Sequence, residues 1–134
     1  MTQEDKELLL KDFSSRLPYG VRYRRFAWND ERGEKCISAK IYSISPDGYV
    51  RNYHEDESDY IGNVRPYLFP FSSMTDKQKN EYQYITERWM NDPAYSISDS
   101  IDWLNKNHFD YRGLIGKGLA IDATGTDIYA IPEE

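Results

Sequence analysis

The chain of 134 residues fits one domain spanning 1–134, a length that can bury a core of its own. With 30% charged residues and a mean hydropathy of −0.83, it lacks the apolar run of roughly 18 residues that a membrane helix needs, and its acidic start has no signal-peptide pattern, so we expect a cytoplasmic protein without membrane contact. The net charge of −6 opposes binding to a phosphate backbone without excluding a local basic patch, and the single Cys36 excludes an internal disulfide and a cysteine-based zinc site.

The first predicted element is a helix over 2–16. Thr2 suits the N-cap position, and the acidic Glu4 and Asp5 suit the positive end of the helix dipole. One apolar stripe recurs at helical spacing and predicts the face that meets the core. Its members are Leu9, Leu10, Phe13 and Leu17.

The region 20–70 is predicted to be strand-rich, because short alternating runs are separated by tight turns such as SPDG at 45–48. In the second of these runs the alternation places Ile37, Ala39, Ile41 and Ser43 on one face. Three or four short strands predict a small antiparallel sheet, which either stays open or curls into an SH3-like barrel.

A helical region is predicted over 75–110. Thr75 and Gln78 form the pattern of a capping box, and apolar residues then recur on one face of each of two helices. The tail over 119–131 predicts a short hairpin with Gly125 at its tip. The fold class is therefore α+β, with an N-terminal helix, a small sheet, C-terminal helices and a terminal hairpin.

The segment WLNKNHFDYRGLIGKGLAID, residues 103–122, concentrates polar side chains and glycines. We interpret it as a helix end followed by a turn: Asp110 caps backbone N–H groups, and Gly116 or Gly118 supplies the left-handed residue. Its glycines do not have the spacing of a phosphate-binding loop. Leu114, Ile115 and Leu119 are candidates for the core.

His108 and Asp110 define a catalytic alternative, in which the carboxylate orients an imidazole for acid–base chemistry. Together with His54 and Asp56 they would suit a divalent metal and a small metal-dependent hydrolase. The spacing of these residues does not itself signal such a site, so we predict no catalytic residue, metal or cofactor.

The run RYRRF, residues 22–26, interleaves cations with aromatic rings. On a strand, Arg22 and Arg24 share one face, while Tyr23 and Arg25 share the other. Such a face holds phosphates and stacks bases in proteins that bind single-stranded nucleic acid. The alternative interpretation is an edge strand whose charges prevent aggregation.

The chain is rich in tyrosine, with 12 Tyr among its residues. Because a tyrosine combines a large ring with a polar tip, such residues are frequent at protein interfaces, although half-buried strands also use them. We predict that Tyr23 and Tyr67, both flanked by arginine, are exposed anchors for a partner.

Three segments resemble a family of small uncharacterised proteins from gut Bacteroidales and their phages or mobile elements. They are LKDFSSRLPYGV (10–21), RPYLFPFSSMTDKQKNEY (65–82) and IDWLNKNHFDYRGLIGKGLAID (101–122). Where relatives tend to place Glu, this chain has Gly116, which argues against a long helix there. The resemblance implies a bacterial or phage-borne accessory protein and transfers no catalytic residue.

Three hypotheses follow for function. The first is a non-enzymatic protein-interaction module that binds a host or phage protein. The second is a nucleic-acid-binding regulator that uses Arg22, Arg24 and Arg25. The third is a small metal-dependent hydrolase with His108 and Asp110.

Overall fold

The computed structural model describes residues 1–25, 39–53, 58–92 and 97–130. The predictions made for Cys36, Ile37, His54 and Asp56 lie outside these ranges, and the side chains of Arg25 and Trp89 lie outside the described part of the structure. The α+β class predicted from the sequence is confirmed.

Helix α1 spans Gln3–Arg16 and confirms the predicted N-terminal helix. It begins with a capping box, in which the Thr2 hydroxyl accepts a bond from the Asp5 N–H and the Asp5 carboxylate accepts one from the Thr2 N–H. Leu9 and Phe13 from its apolar stripe are fully buried and bring the helix onto the sheet.

The described residues form six strands: β1 Arg22–Arg25, β2 Ala39–Ile44, β3 Tyr49–Asn52, β4 Ser58–Tyr60, β5 Val64–Leu68 and β6 Ile121–Asp122. Their order in the sheet is β4-β3-β2-β1-β5-β6, and among them the two edge strands do not pair with each other. The described sheet is therefore open, and SH3-like closure is not observed in it.

The first five strands pair antiparallel as predicted, but β6 pairs parallel with β5, so the sheet is mixed. The reason is the connection between them. Helices α2, Asp76–Asn91, and α3, Ile97–Lys106, lie between β5 and β6 in the chain, and a crossover of this kind returns the chain in its original direction.

A β-bulge in β2 alters one predicted face. Between Ile41 and Ser43 the register against β3 shifts, so that Ser43 pairs with Arg51 and Ile44 pairs with Val50. Because the extra residue reverses the alternation, Ile44 rather than Ser43 joins Ile41 against the core. The prediction that Ser43 shares a face with Ile41 is wrong.

The predicted terminal hairpin is also wrong. Within the described tail, 119–130, only Ile121–Asp122 forms a strand, and after a turn with Gly125 at φ +77° the described part ends in a 3-10 helix, Ile128–Ala130. The Tyr129 hydroxyl accepts a bond from the Arg22 N–H at 3.1 Å and donates one to the Tyr67 carbonyl at 2.6 Å. This side chain therefore attaches the tail to β1 and β5 in place of a second strand.

The core lies on one face of the sheet, beneath α1 and the 103–122 segment. Helix α2 begins with the predicted capping box of Thr75 and Gln78 and packs on α3, but none of its described side chains is fully buried. In the described part of the chain no helix is long and apolar enough to cross a membrane. The buried core cluster contains Leu9, Phe13, Val21, Tyr23, Ala39, Ile41, Val50, Ile61, Val64, Leu68, Leu114 and Leu119.

Candidate functional site

The two predicted anchor tyrosines are buried. Tyr23 is 0% exposed, packs edge-on against the Phe13 ring at 5.8 Å, and donates its hydroxyl to Asp59 at 3.4 Å. Tyr67 is 6% exposed, and burial raises the pKa of its hydroxyl while nearby Arg24 lowers it. The expected exposure of both residues is therefore wrong. Tyr23 belongs to the core, and Tyr67 is buried on β5, which lies between β1 and β6.

The arginines of β1 lie as alternation requires. Tyr23 faces the core, so Arg22 and Arg24 lie on the opposite face, where the strand register sets Arg22 beside Lys40 and Arg24 beside Arg65. Arg22 is buried and Arg24 is half-buried, so neither projects freely as the nucleic-acid hypothesis expected. The side chain of Arg25 is outside the described part of the structure.

The exposed aromatic rings of this face lie on β2 and just after β3. Tyr42 is 56% exposed, Tyr53 is 59% exposed, and their rings meet edge-to-face at 5.0 Å. The Lys40 ammonium lies 5.3 Å from the centre of the Tyr53 ring, and exposed Arg51 lies on β3, two residues before Tyr53. We call Lys40, Tyr42, Arg51 and Tyr53 the tyrosine–lysine surface.

Sequence reasoning missed this surface although its signal is present. Tyr49, Arg51 and Tyr53 alternate with the buried Val50 and Asn52, which is the period of a strand with one solvated face. The sequence prediction selected Tyr23 and Tyr67 because arginines flank them, and it did not use this alternation.

Beside the tyrosine–lysine surface lies a cleft of about 390 Å³ that combines three cations with aromatic and amide side chains. A neighbouring depression shares Lys40 and Lys106 with it and reaches Tyr53, so the cleft and the surface are continuous. We call this the cationic cleft. Its walls are Tyr19, Gly20, Arg22, Lys40, Phe69, Gln78, Lys106, Asn107, His108 and Tyr129.

His108 forms one wall of the cationic cleft and ends α3. Its N–H donates to the Asn105 carbonyl, the Phe109 N–H donates to the Leu104 carbonyl, and His108 itself has φ +61°. This is a Schellman motif with a histidine in the left-handed position that glycine usually occupies. The imidazole stacks on the Tyr129 ring at 3.8 Å, with the two planes 10° apart.

The environment of His108 keeps its imidazole neutral. Burial, aided by the nearby Arg16 guanidinium, lowers its pKa from 6.5 to about 3. Its Nδ1 atom is buried and has no hydrogen-bond partner in the structure. A buried polar atom of this kind calls for an explanation beyond packing.

Asp110 has the structural role predicted for it and does not serve His108. Its two carboxylate oxygens accept bonds from the N–H groups of Leu114 and Ile115, both at 2.9 Å, and Gly118 takes the left-handed conformation with φ +73°. The structure shows no hydrogen bond between Asp110 and His108, so the pairing assumed by the hydrolase hypothesis is wrong. In the described ranges no three His, Cys, Asp or Glu side chains gather into a potential metal site.

A buried ionic network joins α1 to the 103–122 segment. Arg16 donates to the Asp12 carboxylate at 3.0 Å and to the Phe109 carbonyl at 2.6 Å, and Arg112 approaches the same carboxylate at 3.4 Å. Burial raises the pKa of the Asp12 carboxyl, and the Arg16 and Arg112 guanidinium groups oppose that rise. Since both Asp12 and Arg16 are fully buried, we assign this network to the fold.

Comparison with models of protein families, with curated proteins and with solved structures gives no match to this chain.

Proposed function

We propose that this protein is a non-enzymatic binding module that recognises an acidic segment of a partner protein through the tyrosine–lysine surface. The observation that carries this proposal is the pair of exposed rings, Tyr42 and Tyr53, which contact each other on an open sheet face. Large aromatic side chains with a polar tip dominate binding energies at protein interfaces. Lys40 and Arg51 beside them provide charge complementary to Asp and Glu.

The ring geometry favours a protein partner over a single-stranded nucleic acid. Base stacking needs an open ring face, but Lys40 lies over the Tyr53 ring and Tyr42 packs edge-to-face against it. The net charge of −6 also opposes binding to a long polyanion such as a nucleic acid. Nucleic-acid binding is the second candidate, because Arg22 and Arg24 lie on the same side of the sheet as Lys40.

The cellular setting is part of the proposal and rests on the resemblance to small Bacteroidales and phage proteins. Such an accessory protein would meet its partner, a host or phage protein, in the cytoplasm.

Affinity capture from a Bacteroidales lysate tests the proposal when surface variants are compared. The chain with Tyr42→Ser and Tyr53→Ser is expected to lose a protein that the unmodified chain retains after nuclease treatment. The matched control carries Tyr84→Ser and Met90→Ser, which change two equally exposed side chains of α2, and it is expected to retain that protein.

Added polyglutamate should release the partner, because the contact depends on Lys40 and Arg51. Equal capture by both double variants would contradict the assigned surface. Capture that disappears with nuclease would instead support the nucleic-acid candidate.

A further inference from the structure

The cationic cleft differs from the tyrosine–lysine surface in being concave and charged on several sides. Its three cations come from separate elements: Arg22 from β1, Lys40 from β2 and Lys106 from the last turn of α3. None of the described residues that line it carries a carboxylate. Cations gathered in a cleft focus positive potential there, even in a protein whose net charge is negative.

Three carbonyl groups in the last turn of α3 are already hydrogen-bonded and so oppose this potential less than open carbonyls would. The carbonyls of Trp103, Leu104 and Asn105 accept bonds from the N–H groups that follow the helix. Lys106 makes no ion pair or hydrogen bond with its side chain in the described part of the chain. It is exposed and projects from the helix end that borders the cleft.

The other walls suit the organic part of a ligand. Tyr19 and Tyr129 contribute aromatic rings, and Gln78 and Asn107 contribute amide groups that donate and accept hydrogen bonds. The volume of about 390 Å³ lies in the range of small-molecule sites. A ligand of about mononucleotide size would fill this volume.

His108 provides an independent indication that the cleft is a built site. The residue keeps a left-handed conformation, which is strained for a side chain with a Cβ atom and free of that strain for glycine. Its imidazole stacks on Tyr129, and its buried Nδ1 atom has no hydrogen-bond partner among the residues that the structure describes. Retained strain and an unsatisfied polar atom in the wall of a cleft are features of ligand-binding positions.

We infer that the cationic cleft binds a small-molecule phosphate monoester of about mononucleotide size, with Arg22, Lys40 and Lys106 holding the phosphate. A phosphate monoester carries a charge of about −1.5 to −2 at neutral pH and three acceptor oxygens. The planar guanidinium of Arg22 can donate two parallel hydrogen bonds to two of these oxygens, and each lysine adds one positive charge. Tyr19 and Tyr129 flank the rest of the molecule.

Titration followed by NMR of the full chain tests this inference with three probes: inorganic phosphate, adenosine 5′-monophosphate and adenosine. The two phosphate-bearing probes are expected to shift the signals of Lys106 and His108 saturably, and adenosine to bind far more weakly. Lys106→Gln should weaken binding of the monophosphate by about tenfold, the effect of losing one charged contact. Lys79→Gln removes an exposed lysine of α2 that does not line the cleft, so it should leave the affinity unchanged.

Three outcomes would overturn the inference. They are the absence of saturable shifts with phosphate and the monophosphate at millimolar concentrations, equal binding of adenosine and its monophosphate, and equal losses from Lys106→Gln and Lys79→Gln. Lys106 is not part of the tyrosine–lysine surface, so Lys106→Gln should still capture the protein partner. Failure of the cleft and failure of the proposed function are thereby distinguished.

Discussion

At the scale of single residues, the Tyr129 hydroxyl completes the sheet. The β1–β5 ladder pairs Tyr23 with Pro66 and does not continue to Arg22 and Tyr67. Between those two residues the Tyr129 hydroxyl accepts a hydrogen bond from the Arg22 N–H and donates one to the Tyr67 carbonyl. Burial raises the pKa of this hydroxyl strongly, so it remains protonated and can keep donating.

Replacing Tyr129 with Phe should therefore lower the free energy of unfolding by about 1–3 kcal/mol, since the Arg22 N–H and the Tyr67 carbonyl each lose their hydrogen bond to this hydroxyl. Urea unfolding monitored by circular dichroism measures the change. Tyr84→Phe removes the hydroxyl of a ring that is 63% exposed and should change stability by less than about 0.5 kcal/mol. Equal effects of the two substitutions would show that the relay contributes nothing.

His108 makes stability depend on pH in a defined direction. Its pKa falls from 6.5 in the unfolded chain to about 3 in the folded protein, so between these values only the unfolded chain binds the proton. The free energy of unfolding therefore decreases as the pH falls from about 6.5 towards 3, by up to about 1.4 kcal/mol per pH unit.

The experiment compares the unmodified chain with His108→Asn, because Asn tolerates the left-handed conformation and does not titrate there. Urea unfolding between pH 7 and 4 should give a shallower dependence for the variant. Asp12 and His54 are present in both proteins. The raised pKa of Asp12 makes the free energy of unfolding change with pH in the opposite direction. Parallel stability curves would contradict the assignment to His108.

At the scale of elements, α1 and α2 have the same kind of start but different attachment to the core. Both begin with a capping box, yet α1 buries Leu9 and Phe13 completely while no described side chain of α2 is fully buried. We expect α2 to open locally at a free energy below that of global unfolding.

Hydrogen exchange followed by NMR tests this difference between the helices. Amides of α2 should exchange faster than those of α1, and Thr75→Ala, which removes a cap worth about 1 kcal/mol, should speed exchange in α2 alone. Thr2→Ala is the matched substitution at the start of α1. Equal protection of the two helices in the unmodified chain would show that α2 is as firmly packed as α1.

The elements that the sequence predicts are those fixed by nearby residues. Capping boxes depend on residues three positions apart, and the strands and turns of the 20–70 region depend on alternation and on glycine and proline. The course of the tail depends on contacts that no local pattern contains. Tyr129 bonds to Arg22 and Tyr67, 107 and 62 residues away in the chain.

The candidate sites were only partly predictable for the same reason. The alternation around Arg51 was sufficient to find the tyrosine–lysine surface. The cationic cleft was not accessible in this way, because Arg22, Lys40, Lys106 and Tyr129 come from four distant segments that only the folded chain brings together. The bulge after Ile41 further shows that one extra residue changes which side chains face the core.

At the scale of the whole molecule, the buried network of Asp12, Arg16 and Arg112 fastens the first helix to the segment that follows α3. Arg16→Met should lower the free energy of unfolding by about 3–5 kcal/mol, because it removes the closer of the two cations that compensate the buried Asp12 carboxylate and leaves only Arg112, at 3.4 Å. Lys11→Met, at an exposed position of the same helix, is the control and should have little effect. Similar losses for both in urea unfolding would contradict a central role of the network.

The molecule as a whole is acidic but presents cations and exposed tyrosine side chains on one side of its sheet. This uneven distribution of cations and tyrosine side chains is the basis of the proposed binding function. A photoreactive benzophenone residue in place of Tyr53 tests it most directly, with the same residue in place of Tyr84 on α2 as the control. Irradiation in a Bacteroidales lysate is predicted to join a protein with an acidic segment to position 53 and not to position 84. Cross-links to nucleic acid, or equal cross-links from both positions, would contradict the account.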